Sequence, residues 1–154
     1  SEGRPLFVRS ANDKFNLANF IRTHLYASVG VLKLGNDILF NDEKVRVDRI
    51  TGHGGLFKTK GVGQRILAAA INSPISVMET AGEGGAWGIA LLASYLVNNT
   101  NKQSLADYLD EVVFAGDAGV EIKPTKEDVG GFNKYIENYK ACLAIEEAAV
   151  KAKN

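Results

Sequence analysis

Two successive strand–glycine loop–helix units predict an α/β layer. The first unit begins with the alternating run Val45-Arg46-Val47-Asp48-Arg49-Ile50. It continues through Thr51-Gly52-His53-Gly54-Gly55-Leu56-Phe57-Lys58-Thr59-Lys60-Gly61-Val62-Gly63 into an apolar helical run over 64–71. The second passes from Ile75-Ser76-Val77-Met78-Glu79 through Gly82-Glu83-Gly84-Gly85 into a helical run over 86–96. Strands that alternate with helices in this order form a parallel layer with right-handed crossovers. The bulk numbers agree with that class. A chain of 154 residues, 45% hydrophobic and 23% charged, is one domain's worth and can bury a core.

Charge and cysteine usage exclude several function classes. Lys plus Arg equals Asp plus Glu at 18 each, so no net field favours nucleic acid or an anionic membrane. No run is long and apolar enough to span a bilayer. The single cysteine, Cys142, has no partner for an internal disulfide and reads as a packed helix residue. A cytoplasmic setting is the default that follows. His24 and His53 lack Cys or carboxylate neighbours at ligand spacing, so no metal site is expected.

Taken in order, Leu6-Phe7-Val8 reads as a short strand. Asn12 or Asp13 is the expected N-cap of a long helix reaching about Leu34, with apolar positions Phe15, Leu17, Phe20, Ile21, Leu25, Val29 and Leu32 mostly three or four apart. Gly35 suits its C-cap. After the glycine loop, the helix over 64–71 ends near Asn72-Ser73-Pro74, because proline disfavours helix in the residue before it. In the next helix, the small residues Ala86, Gly88, Ala90 and Ala93 allow close approach to a neighbour, and Gly88 points to tight packing or a nearby ligand. Ser104 caps a short helix. Val112-Val113-Phe114 and Val120-Glu121-Ile122 flank a turn at Ala115-Gly116-Asp117-Ala118-Gly119. Thr125, with Asp128 three residues on, opens the last helix, which carries Phe132, Tyr135, Ile136, Tyr139, Cys142, Leu143 and Ile145 and has Lys151 and Lys153 near its end.

The glycine loop carries the most chemistry. Paired glycines let backbone approach a ligand, and free amides at a helix start favour phosphate. Lys58 and Lys60 add positive charge. The loop has two readings: a nucleotide-type site, or a turn that only connects two elements. It is neither a P-loop nor a dinucleotide fingerprint, since nothing fits G-x-x-x-x-G-K-[ST] and position 57, where G-x-G-x-x-G needs glycine, is Phe.

Together, Thr51-Gly52-His53-Gly54-Gly55-Leu56-Phe57-Lys58-Thr59, the strand ending at Glu79 and the helix Ala86-Trp87-Gly88-Ile89-Ala90 resemble the C-terminal domain of FGGY-family carbohydrate kinases. The resemblance runs from about Phe15 to Tyr139 and lies nearest the ribulokinase- and xylulokinase-like members. Trp87 and Ile89 depart from the family's usual Leu and Ala. The resemblance implies an actin-like (ribonuclease H-like) ATPase lobe, a fragment of a two-lobed kinase comprising residues 1–154 without the sugar-binding lobe. It implies ATP and Mg as cofactors and a ketopentose such as ribulose or xylulose as acceptor. It places Gly54, Gly55 and Leu56 beside phosphates and ribose, with Lys58 nearby and Thr59 near the adenine. It assigns Gly85 to packing around the adenine pocket. No aspartate of the chain has the context of the general base, so no catalytic residue is assigned and the fragment is expected to be inactive alone. A module of different class, an actin-like nucleotide sensor or assembly unit without sugar chemistry, is the alternative, and a small α/β domain with purely structural glycines is a third. The apolar faces at 15–32 and 132–145 have two readings, packing internally or against the missing lobe; without that lobe an apolar patch is exposed, and self-association is the expectation.

Overall fold

The computed structural model describes residues 4–115 and 119–152. Its backbone clusters into two compact units. One comprises the described parts of Ser1–Val45, Ala69–Ile71 and Thr125–Asn154; the other comprises Arg46–Ala68 and Asn72–Pro124.

The first unit is helical. Helix α1 spans Leu17–Asp37 and is capped by Asn16, whose side chain accepts a hydrogen bond from the Asn19 amide at 2.9 Å. The expected caps upstream are not used. Asp13 instead accepts from the Ser10 amide, closing a local turn that delays the helix. The helix also runs past Gly35, which has no positive φ, into a π-helical turn over Ile38–Asp42. An ion pair between Lys33 and Asp37 spans the last turn. The last helix of the chain, Lys126–Lys151, starts as the sequence predicts: Thr125 accepts from the Asp128 amide at 3.1 Å. Buried Val29, Phe132 and Ile136 form the core of this unit, and the Tyr26 ring lies 4.8 Å from that of Phe132. Leu6, Phe7 and Val8 form no strand; Phe7 packs edge-on to Phe20 at 5.3 Å and lies beside His24.

The second unit holds the sheet and glycine loops. Strand β1 is only Thr51–Gly52, helix α2 is Val62–Ile71, and strand β2 is Ile75–Val77. β1 and β2 pair in parallel, which is the βαβ arrangement expected from the sequence. The strand expected over 45–50 is almost wholly irregular. Residues 45–49 are all exposed, the valines as well as Arg46 and Asp48, and the Ile50 carbonyl accepts from the Ser76 amide at 3.0 Å. Helix α2 stops at Asn72, which adopts the left-handed conformation and donates to the Ala68 carbonyl. Helix α3 spans Gly84–Asn98, and the short helix α4 spans Leu105–Tyr108 under a Ser104 cap. Val112 and Val113 lie in a π-helical turn rather than a strand. Strand β3, Val120–Ile122, pairs antiparallel with β2, giving the sheet order β1-β2-β3. The final helix, in the first unit, is α5. The turn expected at 115–119 and the helix end at Lys153 fall largely outside the described residues.

One buried polar side chain organises this sheet. Gln64, in the first turn of α2, donates its amide to the Ile75 carbonyl at 2.7 Å and the Val120 carbonyl at 2.6 Å. Two strands distant in sequence are thus tied to the helix that follows the glycine loop. Tight packing does not account for Gly88: a side chain there would meet open space, and no described neighbour demands a glycine.

Candidate functional site

In open α/β sheets, ligands gather at the carboxyl ends of parallel strands. Here both such ends lead into glycine clusters. β1 ends at Gly52 and enters the first loop; β2 ends at Val77 and passes through a 3-10 turn, Glu79–Glu83, into α3. The two loops are clipped together, because the Gly54 amide donates to the buried Ala81 carbonyl at 2.8 Å. Between them lies an open cavity of about 490 Å³, lined by His53, Gly54 and residues 82–86. Residues of both clusters line this one cavity, in keeping with the resemblance, which sets Gly85 of the second cluster beside the adenine pocket.

The geometry of the first loop explains its glycines. Gly54 sits at φ 101° and ψ −176°, a region accessible in practice to glycine alone. Its carbonyl accepts from the Phe57 amide as the chain turns through the 3-10 segment Gly55–Phe57. At the start of α2, a side-chain carbon on Gly63 would lie 2.5 Å from the Leu56 carbonyl oxygen, so only a bare backbone lets the loop close onto the helix.

Of the residues singled out in the sequence, Gly54 lines the cavity. Gly55 opens the turn beside it, and Leu56 packs its side chain against Gly63. Thr59 has an exposed side chain, and its carbonyl receives the Val62 amide at 3.3 Å. Lys58 does not line the cavity; its Nζ lies 2.9 Å from Glu83 Oε1. Gly85 lines the cavity at the start of α3. The Lys58–Glu83 pair was not legible beforehand, because the partners stand 25 residues apart. His53, which the sequence offers as either a ligand contact or a solvent-facing loop residue, is exposed and lines the cavity, and its ring packs on Gly84, where a side-chain carbon would be 3.4 Å from Nδ1.

The arrangement suits a polyanion held by backbone. Five of the seven lining residues are glycine or alanine, so the walls consist largely of peptide groups. α3 starts at the cavity, and its N-cap residue Glu83 makes no side-chain hydrogen bond to the first-turn amides. Those amides carry the positive end of the helix dipole. Among the described residues, no group of three His, Cys, Asp or Glu is placed to hold a metal ion. A second cavity of about 340 Å³ lies in the helical unit beside Phe7, Tyr135 and Leu143; its mainly apolar lining lacks this concentration of backbone donors.

A family model described as the FGGY family of carbohydrate kinases, C-terminal domain, matches residues 1–97. The matched stretch contains both glycine clusters and most of α3. No curated protein and no solved structure matches the chain.

Proposed function

The chain belongs to the FGGY family of carbohydrate kinases, and from that premise we propose that it is the nucleotide-binding lobe of an ATP-dependent sugar kinase. The family implies an actin-like, ribonuclease H-like lobe, with ATP, Mg and a sugar as reaction partners. The observation that carries the reading is the single cavity formed where the two glycine clusters meet. Gly54 and Gly55 approach phosphates and ribose through their backbone, and the first-turn amides of α3 add donors. Leu56 holds the loop against α2. Thr59, at the outer end of the turn, faces the base. Bound Mg-ATP supplies the γ-phosphoryl group that a sugar hydroxyl accepts. Among the described residues no acidic cluster is placed to hold Mg, so in this reading the nucleotide phosphates carry it.

Phosphoryl transfer depends on positioning and electrostatic stabilisation, with a base to orient the hydroxyl. We assign that base to no residue of this chain, and we read residues 1–154 as one lobe whose sugar-binding counterpart lies elsewhere in a longer polypeptide. The lobe by itself turns over nothing. The acceptor is a ketopentose of the ribulose or xylulose type, an assignment that rests on the sequence resemblance of the glycine loop and the α3 start.

An amide NMR titration with Mg-ADP and Mg-ATP tests the site. Shifts concentrated at Gly54, Gly55 and residues 82–87 are the expected result. Absence of shifts at millimolar nucleotide, or shifts confined to α1 and α5, would overturn it.

A further inference from the structure

Glu83, a residue with a carboxylate, lines the cavity assigned above to a polyphosphate. A lone carboxylate there repels the ligand. Lys58, from the other glycine loop, sits 2.9 Å from its Oε1. The Lys58 stem lies on Gly82, where a side-chain carbon would be 3.2 Å from Cγ and 3.4 Å from Cε. The ammonium is thereby directed to Glu83 along a path that glycine at position 82 leaves clear. With the two side chains 59% and 75% exposed, such a pair contributes little to fold stability, so stability does not account for the arrangement.

We propose that Lys58 is a positioning residue that neutralises the Glu83 carboxylate, making the cavity permissive for nucleotide phosphates, and is not itself a phosphate ligand. The inference rests on the nucleotide reading of the same site and assigns the loop lysine a different task from the one its sequence position implies.

A charge-neutralisation cycle separates the possibilities. Lys58→Met keeps the stem over Gly82 and removes the ammonium; Glu83→Gln removes the opposing charge. Mg-ADP and adenosine affinities are read from the Gly54 and Gly84 amide shifts at low salt. Lys58→Met is expected to weaken Mg-ADP by about threefold, the scale of one unscreened like-charge contact across a few ångströms of water. Adenosine, which carries no phosphate, is unaffected. The Lys58→Met/Glu83→Gln double variant regains wild-type affinity, and added salt shrinks the single-variant effect. A double variant as weak as Lys58→Met would make Lys58 a direct ligand and overturn the proposal. Unchanged Mg-ADP affinity in Lys58→Met, or equal losses for ADP and adenosine, would overturn it as well. If the wild-type chain binds adenosine and ADP at this site, the nucleotide reading stands whatever the variants do; if it binds neither there, both fall together.

Discussion

At Gly54 the backbone occupies a region where a β-carbon is strained, and the residue also forms the cavity wall. Gly54→Ala is therefore expected to cost about 1–3 kcal/mol. Urea denaturation measures that cost, and loss of the Gly54–Ala81 hydrogen bond should appear as faster amide exchange at position 54. An unchanged midpoint would mean that the loop relaxes freely. A second residue-scale effect concerns pH. Burial, with Tyr139 and then Cys142 nearby, raises the Tyr135 phenol above its usual 10.0. The unfolded chain loses this proton first as pH rises. The stabilising contribution is therefore complete below about pH 10 and is lost as pH climbs through the folded-state value. Thermal melts of Tyr135→Phe should fall less steeply with pH than wild type above that point. The variant keeps the ring beside Tyr26 and Phe132. Parallel slopes would show that the phenol's burial carries no alkaline sensitivity.

At the scale of elements, Gln64 is the joint between α2, β2 and β3. Gln64→Leu removes both of its hydrogen bonds inside a buried setting and is expected to destabilise the chain by about 2–4 kcal/mol, against about 1 kcal/mol for Thr125→Ala at the α5 cap. Equal losses in a melting comparison would remove the special role given to Gln64. The same contrast explains what the sequence could disclose. Ser104 and Thr125 were legible because a cap involves residues three positions apart. The strand–loop–helix order made the βαβ arrangement legible but not its first strand, which falls at Thr51–Gly52, within the expected glycine loop, and not over 45–50. Asn16 was not, because Asn12 and Asp13 are equally good caps and the choice fell to Asp13's turn with Ser10. Residues 45–50 look like a strand in isolation, yet pairing depends on how far β2 extends, and β2 has only three residues. Gln64 reads as a polar residue at a helix start; its partners at Ile75 and Val120 are set by the fold. The site follows the same rule, since each glycine cluster is visible in sequence while their junction at Gly54–Ala81 and Lys58–Glu83 is not.

For the whole molecule, family membership was legible because the glycine loops and the α3 start recur together, whereas the individual sugar within the proposed ketopentose class was not, because none of those residues is assigned a sugar contact. The outer surface carries a further consequence. α3 contains no charged residue and is apolar around much of its circumference, a pattern ordinarily found in enclosed helices. Yet Ile89, Leu96 and Val97 are 72%, 82% and 80% exposed. Leu17 and Val31 on α1, in the other unit, are also open to solvent. Exposed apolar faces of this kind drive association, and a formal net charge of zero provides little repulsion against it. The chain is accordingly expected to self-associate with rising concentration in sedimentation velocity experiments. Ile89→Glu with Leu96→Glu should reduce that association without lowering the melting temperature appreciably, because both side chains are already in water. A strict monomer at high concentration would show that these faces do not suffice for assembly. Association unchanged in the double variant would transfer the contact from α3 to the exposed positions of α1.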